Sequence, residues 1–177
     1  MKLLFLLAVL TLLSPVHRPA AAGETPATVA AQTMVIVVRH AEKATDDPRD
    51  PSLSEVGKAR AARLATALAA ASVDAVYTTQ YRRTRDTAAV TAAAAGVELH
   101  VHEATAQNTA SYASELLAEI QARPAGDTVL VVGHSNTVPE LVETFGGSRV
   151  AAIADDQYDR LFVITLGPSP RTVVLTY

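Results

Sequence analysis

Met34-Val35-Ile36-Val37-Val38-Arg39-His40 is the stretch that decides the fold. Its apolar residues, mostly β-branched, run without polar alternation and stop at an arginine and a histidine. A strand that is apolar on both sides must be covered on both sides, which is the position of a central strand in a layered α/β domain. Thr128-Val129-Leu130-Val131-Val132 is a second run of the same kind and leads straight into Gly133-His134.

Outward from these two strands, helical and extended patterns alternate. Lys43 to Pro51 is rich in Asp and Pro and reads as a loop; Ser52-Leu53-Ser54-Glu55 fits a capping box in which Ser52 receives the first N–H groups. Val56, Arg60, Leu64, Leu68 and Ala71 then recur at the helical period. Val73–Thr78 reads as a strand, Arg82–Ala95 as a helix ended by Gly96, and Val97–Val101 as a third strand. Tyr112, Leu116 and Ile120 mark a further helix that stops before Pro124, and Pro139 suits the first turn of a short helix closed by Gly146-Gly147. Leu161–Leu166 and Arg171–Tyr177 flank Gly167-Pro168-Ser169-Pro170 and read as a hairpin at the sheet edge. The expected fold is therefore α/β, a three-layer sandwich with a largely parallel central sheet and helices on both faces. Functional groups are expected at the carboxyl ends of its strands.

The chain of 177 residues has room for one domain, here 34–177, after two leading segments. Met1-Lys2 followed by the apolar run Leu3 to Leu13 has the shape of a secretory signal over residues 1–22, with cleavage before Gly23 or, as a later alternative, before Gln32. The run is short of the ~20 residues that cross a bilayer, so no stable membrane span is expected once it is removed. Residues 23–33 are small and polar and read as a leader. These features predict an exported protein, periplasmic or secreted, and the absence of cysteine means that its stability rests on the core without disulfides. Loss of Lys2 and Arg18 with the signal takes the formal charge from −3 to −5, and no basic run interleaved with aromatics is present, which argues against a nucleic-acid partner. No exposed stripe or heptad specifies an oligomeric state.

Both apolar strands deliver a histidine to the same rim, Arg39-His40 and Gly133-His134. Between them Thr79-Gln80-Tyr81-Arg82-Arg83-Thr84-Arg85 opens a helix at that rim. A helix N-terminus, arginines and two imidazoles together suit an anion, and phosphate in particular. A neutral imidazole can attack phosphorus to form a phosphohistidine. The surrounding cations would stabilise the negative charge of the transferring group and hold the imidazole in its neutral form.

On these residues the chain resembles the histidine phosphatase (phosphoglycerate mutase-like) superfamily. Val37-Val38-Arg39-His40-Ala41-Glu42 is similar to its Arg-His-Gly-Glu signature, and Leu53-Ser54-Glu55-Val56-Gly57-Lys58-Ala59-Arg60-Ala61 to its Leu-Thr-x-x-Gly-x-x-Gln-Ala helix start. Tyr77 to Ala88 resembles its Ser-x-x-x-Arg-Ala-x-x-Thr-Ala segment, a register that selects Arg83, and Val132-Gly133-His134-Ser135-Asn136 matches its second-histidine motif. The resemblance implies His40 as nucleophile, Arg39, Arg83 and His134 as phosphate-holding catalytic partners, and no required metal or other cofactor. Ser135 and Asn136 are further phosphate-binding candidates, and Glu42 is expected to orient the first motif. Ala41 stands where glycine is commoner in the family, and Ser135 where glycine is frequent.

The leaving-group acid is expected near the position of Glu103, after the third strand, with Asp46, Asp47 and Asp50 as rivals. His100 and His102 share one side of a strand, but no third metal ligand accompanies them. The short interval from His40 to His134 leaves no room for a large inserted lid, so the chain looks closest to the small members, including the phosphohistidine protein phosphatases. The expected function is hydrolysis of a phosphorylated small molecule or a phosphoprotein. A phosphomutase or phosphotransferase, or a protein that binds a phospho-ligand without turnover, are the alternatives.

Overall fold

The computed structural model describes residues 31–147 and 149–177. The signal segment and most of the leader expected from the sequence lie outside these residues. Six strands form one sheet: β1 (Met34–Arg39), β2 (Ala75–Thr78), β3 (Leu99–Val101), β4 (Thr128–Gly133), β5 (Arg160–Thr165) and β6 (Arg171–Thr176). Their order is β3-β2-β4-β1-β5-β6; β1 to β4 run parallel, and β5 pairs antiparallel with both β1 and β6. The helices are α1 (Glu55–Ala67), α2 (Arg82–Ala95), α3 (Tyr112–Gln121) and α4 (Thr137–Gly146). The architecture is the layered α/β sandwich expected from the sequence, with the β5–β6 hairpin at one edge.

Strand alternation sorts the core into two layers. Val35, Val37, Val129, Val131, Phe162 and Ile164 pack with Leu116, Ile120, Leu141 and Phe145 of α3 and α4. Ile36, Val38, Leu130 and Val132 pack on the opposite face with Leu64 of α1 and Ala88 and Ala92 of α2. Burying a Val or Leu side chain completely contributes about 1.5–3 kcal/mol, so the doubly covered β1–β4 seam is the most strongly held part of the sheet. In that seam Arg39 lies opposite Gly133, and the ladder continues through His40 N–H to the Gly133 carbonyl at 2.9 Å. His40 and His134 therefore leave the sheet in one register, at one rim.

The start of α1 differs from the capping box expected from the sequence. Its N-cap is Ser54, which accepts from Gly57 N at 3.1 Å, while Ser52 donates its hydroxyl to Asp46. The buried stripe runs through Gly57, Ala61, Leu64 and Ala65, and Val56 is exposed. The reason is a close approach: a Cβ on Gly57 would run into the Glu42 carbonyl oxygen, so the glycine face must turn inward. That contact seats the chain just after His40 on α1. Elsewhere the helix ends are as expected, with Gly96 and Gly147 closing α2 and α4 in the left-handed conformation that glycine adopts without Cβ strain.

Candidate active site

A pocket of about 380 Å³ opens at the rim where β1, β2 and β4 end. Arg39, His40, Arg83, His134, Ser135 and Asn136 all line it, and so do Lys43 and Tyr81. Arg82 and Arg85 do not; Arg82 turns instead toward Asp46, 3.7 Å away. Glu103 is exposed and outside the pocket, its backbone carbonyl accepting from Asn108 Nδ2. Asp46, Asp47 and Asp50 also lie outside it, bonded to Ser52, to Arg49 and Asp50 N–H groups, and to Arg82 N respectively. The carboxylates that line the pocket are Glu140 and Asp155, neither of which the sequence singled out.

His40 is held as one tautomer. Its Nδ1 lies 2.8 Å from the Ala41 carbonyl, which can only accept, so Nδ1 carries the proton and Nε2 keeps the lone pair. The same residue is pinned through its other backbone group, where Ala41 N–H donates to Thr87 Oγ1 at 2.9 Å. Thr87 in turn donates to the Arg83 carbonyl within α2.

His134 is held by a chain of hydroxyls whose direction can be worked out. Thr84 Oγ1 lies 2.8 Å from the Tyr81 carbonyl and spends its proton there. It must then accept from Thr79 Oγ1 at 2.9 Å, and Thr79 must accept from His134 Nε2 at 2.9 Å. The neutral ring therefore carries its proton on Nε2, leaving Nδ1 without a partner among the described residues. The two rings meet edge to face with centroids 5.4 Å apart.

Arg39 is buried, and its Nη1 donates to the carbonyls of Ala154, Asp155 and Gln157 at 2.7, 3.2 and 3.0 Å. Its guanidinium also lies over the Tyr158 ring, 4.1 Å from the centroid. Its Nε is buried with no partner, which marks a donor waiting for an acceptor. Arg83 stacks on Tyr81 and stands 3.9 Å from Asp50. Glu42 takes Arg60 in a bidentate pair at 2.7–3.0 Å, which anchors the first motif to α1.

Residues 35–106 match the family model described as histidine phosphatase superfamily (branch 1). Over that stretch, less than half of its length, the chain is similar to the histidine phosphatase superfamily. No curated protein sequence matches it. Among solved structures, the protein histidine phosphatase SixA complexed with tungstate shares the fold at TM-score 0.65 and 17% identity, covering 81% of this chain and 96% of its own. YhfR of Bacillus stearothermophilus (TM-score 0.62, 18% identity) covers the same shares, 81% and 96%. A mycobacterial glucosyl-3-phosphoglycerate phosphatase with inorganic phosphate aligns at TM-score 0.61 and 18% identity, again over 81% and 96%. In fold and size the chain resembles the small phosphohistidine phosphatases.

Both imidazoles are neutral at pH 7. Burial is the largest cause for each, and Arg83, Arg39 and Lys43 add to it; the pKa falls from 6.5 to about 4 for His40, against an opposing push from the Ala41 carbonyl, and to about 3 for His134. The unfolded chain therefore binds more protons below pH 6.5 than the folded one. The stabilisation is complete above 6.5 and is lost as pH falls toward 4 and then 3, at about 1.4 kcal/mol per pH unit for each ring. Denaturant midpoints should fall between pH 6.5 and 5 in the wild type and fall less steeply in His40→Ala; parallel slopes would refute the buried neutral state.

Thr79, Thr84 and Thr87 are site residues to which the sequence reading gave no role, although Thr79 and Thr87 fall on the Ser and Thr of the Ser-x-x-x-Arg-Ala-x-x-Thr-Ala segment. Their further signal is small: Thr79 lies just before α2, and Thr84 and Thr87 share its buried face with Ala88, Thr91 and Ala92. Thr79→Val should free the His134 tautomer and cost about 1–3 kcal/mol of transition-state stabilisation, about 5- to 150-fold in kcat/KM, with Thr79→Ser restoring most of it. Nitrogen NMR of labelled histidine would read the tautomer directly, and an unchanged His134 spectrum in Thr79→Val would sink the relay. Nothing in the sequence points to Tyr158 or the carbonyls of 154–157, because they reach Arg39 from more than a hundred residues away. His100 stacks on Tyr77, and His102 Nδ1 pairs with Glu119 at 2.9 Å; no group of three metal-ligating side chains occurs among the described residues.

Proposed function

We propose that the chain is an exported phosphatase that hydrolyses a phosphate monoester or a phosphoprotein through a phosphohistidine on His40. The observation that carries this reading is the pairing of a neutral His40, with its Nε2 lone pair free, with the orphaned Nε donor of buried Arg39 beside it. A phosphate oxygen satisfies that donor while phosphorus meets the lone pair. The export part rests on residues 1–22; among the described residues no helix is long and apolar enough to cross a membrane.

In the first step the His40 Nε2 lone pair forms the N–P bond, and the ester P–O bond breaks with its electrons leaving on the alcohol oxygen. Arg39 and Arg83 donate to the equatorial oxygens, where charge is spread in the transition state. His134 Nδ1, unprotonated in the neutral ring, would repel a phosphate oxygen unless a proton lies between them. The substrate is therefore bound with one proton shared between His134 and the phosphate. Water then attacks phosphorus, the N–P bond breaks and its electrons return to Nε2.

A ligand-binding protein without turnover has no use for an imidazole locked in its attacking tautomer, which weighs against that alternative. The solved structures of similar fold include a protein histidine phosphatase and a glucosyl-3-phosphoglycerate phosphatase, which supports keeping both substrate classes. Turnover of para-nitrophenyl phosphate by the purified protein, with acid-labile phosphate trapped on His40 by rapid quench, tests the reading. Turnover without His40 labelling would overturn the covalent step.

A further inference from the structure

Glu103 stands outside the pocket, so the carboxyl that serves the leaving group must be sought among the residues that line it. We propose that Glu140 of α4 is the leaving-group acid, an inference that rests on the phosphatase reading above.

The pocket lining includes the cations of Arg39, Lys43 and Arg83 and the two imidazoles, the groups suited to the equatorial oxygens of a transferring phosphoryl group. The attacking and leaving atoms must lie in line, so the leaving oxygen needs a donor other than these. The remaining lining residues with polar side chains include Thr105, Asn108, Thr109, Tyr112 and Glu140.

Most of these polar groups are already committed. Asn108 Oδ1 accepts from Thr105 N and Oγ1 at 2.8 and 3.1 Å, and its Nδ2 donates to the Glu103 carbonyl at 2.8 Å. Thr109 Oγ1 donates to the Thr105 carbonyl at 3.0 Å. Burial pushes the Tyr112 phenol up to about 12, which makes it a weak proton donor. Glu140 is half-buried and makes no hydrogen bond or ion pair among the described residues.

Its seat is also rigid. Thr137 Oγ1 accepts from His134 N at 2.9 Å, and Glu140 follows one helical turn later on the same side of α4, whose other side packs Val138, Leu141, Val142 and Phe145 into the core. Asp155 differs: it is exposed, and it belongs to the segment that holds Arg39.

In the proposed step the Glu140 carboxyl gives its proton to the ester oxygen as the P–O bond breaks and the His40 N–P bond forms, so the product leaves as a neutral alcohol. The Glu140 carboxylate then takes a proton from the water that attacks phosphorus. This assigns the site to esters of basic alcohols, which need the proton, rather than to substrates with an already stabilised leaving group.

The test compares kcat/KM of the full chain with that of Glu140→Gln on para-nitrophenyl phosphate, phenyl phosphate and glycerol phosphate. This parameter reports steps up to and including ester cleavage. The variant should stay within about 3-fold of wild type on the first substrate and fall by about 100-fold or more on the last, with Glu140→Asp recovering part of the loss. An equal loss on all three substrates, no loss on any, or a leaving-group dependence found in Glu103→Gln or Tyr112→Phe instead, would overturn the assignment. A wild type no faster than His40→Ala would refute the phosphatase reading itself, which separates the two failures.

Discussion

Replacement of His40 by alanine should lower para-nitrophenyl phosphate turnover by about 10⁴-fold or more while leaving the fold intact. The ring is the nucleophile in the proposed mechanism, in which His134, held through Nε2 by Thr79, meets a phosphate oxygen rather than phosphorus. The fold survives because the β1–β4 seam is held by backbone pairing and apolar burial that the substitution does not touch. Far-ultraviolet circular dichroism should therefore be unchanged, and inorganic phosphate should still bind, since Arg39 and Arg83 remain. A variant that keeps more than about a hundredth of wild-type turnover would contradict a covalent role for His40 and favour direct attack by water.

Arg83→Ala should cost about 10²- to 10³-fold in kcat/KM, whereas Arg82→Ala and Arg85→Ala should each cost less than about 3-fold. The three arginines are neighbours in sequence, but only Arg83 lines the pocket. Its guanidinium is stacked on Tyr81, which aims it and excludes water from one side, so its attraction for developing negative charge is stronger than that of an exposed arginine. Arg83→Lys should recover only part of the loss, because an ammonium neither stacks nor offers two parallel donors. Inhibition by inorganic phosphate should weaken in Arg83→Ala and not in the other two. A similar loss from all three variants would point to a diffuse electrostatic field rather than a placed donor.

The parts of the protein that are legible in its sequence share a cause. β1 and β4 are apolar on both sides, and only a doubly covered central strand accommodates such a run. Once both strands are central, His40 and His134 have to emerge at one rim. The start of α1 is not legible in this way. Ser52 and Ser54 both precede the helix, and the choice between them is made by the packing of Gly57 against the Glu42 carbonyl, a contact that no local pattern records. Glu103 lies outside the pocket for a related reason: the loop after β3 is stitched to itself through Asn108 and turns that side chain to solvent.

The sequence by itself determined the layered α/β architecture and the meeting of Arg39, His40, Arg83 and His134, because hydrophobic periodicity and strand register follow from the order of side chains along the chain. Only the tertiary structure decided which nitrogen of each histidine carries the proton, what holds Arg39 and which carboxylates line the pocket. Those choices depend on hydrogen bonds between His40 and the pinned Ala41 backbone, between His134 and Thr79, and between Arg39 and residues 154–157. Such bonds form wherever loops and helix ends come to rest, and their direction is set by which partner can only accept.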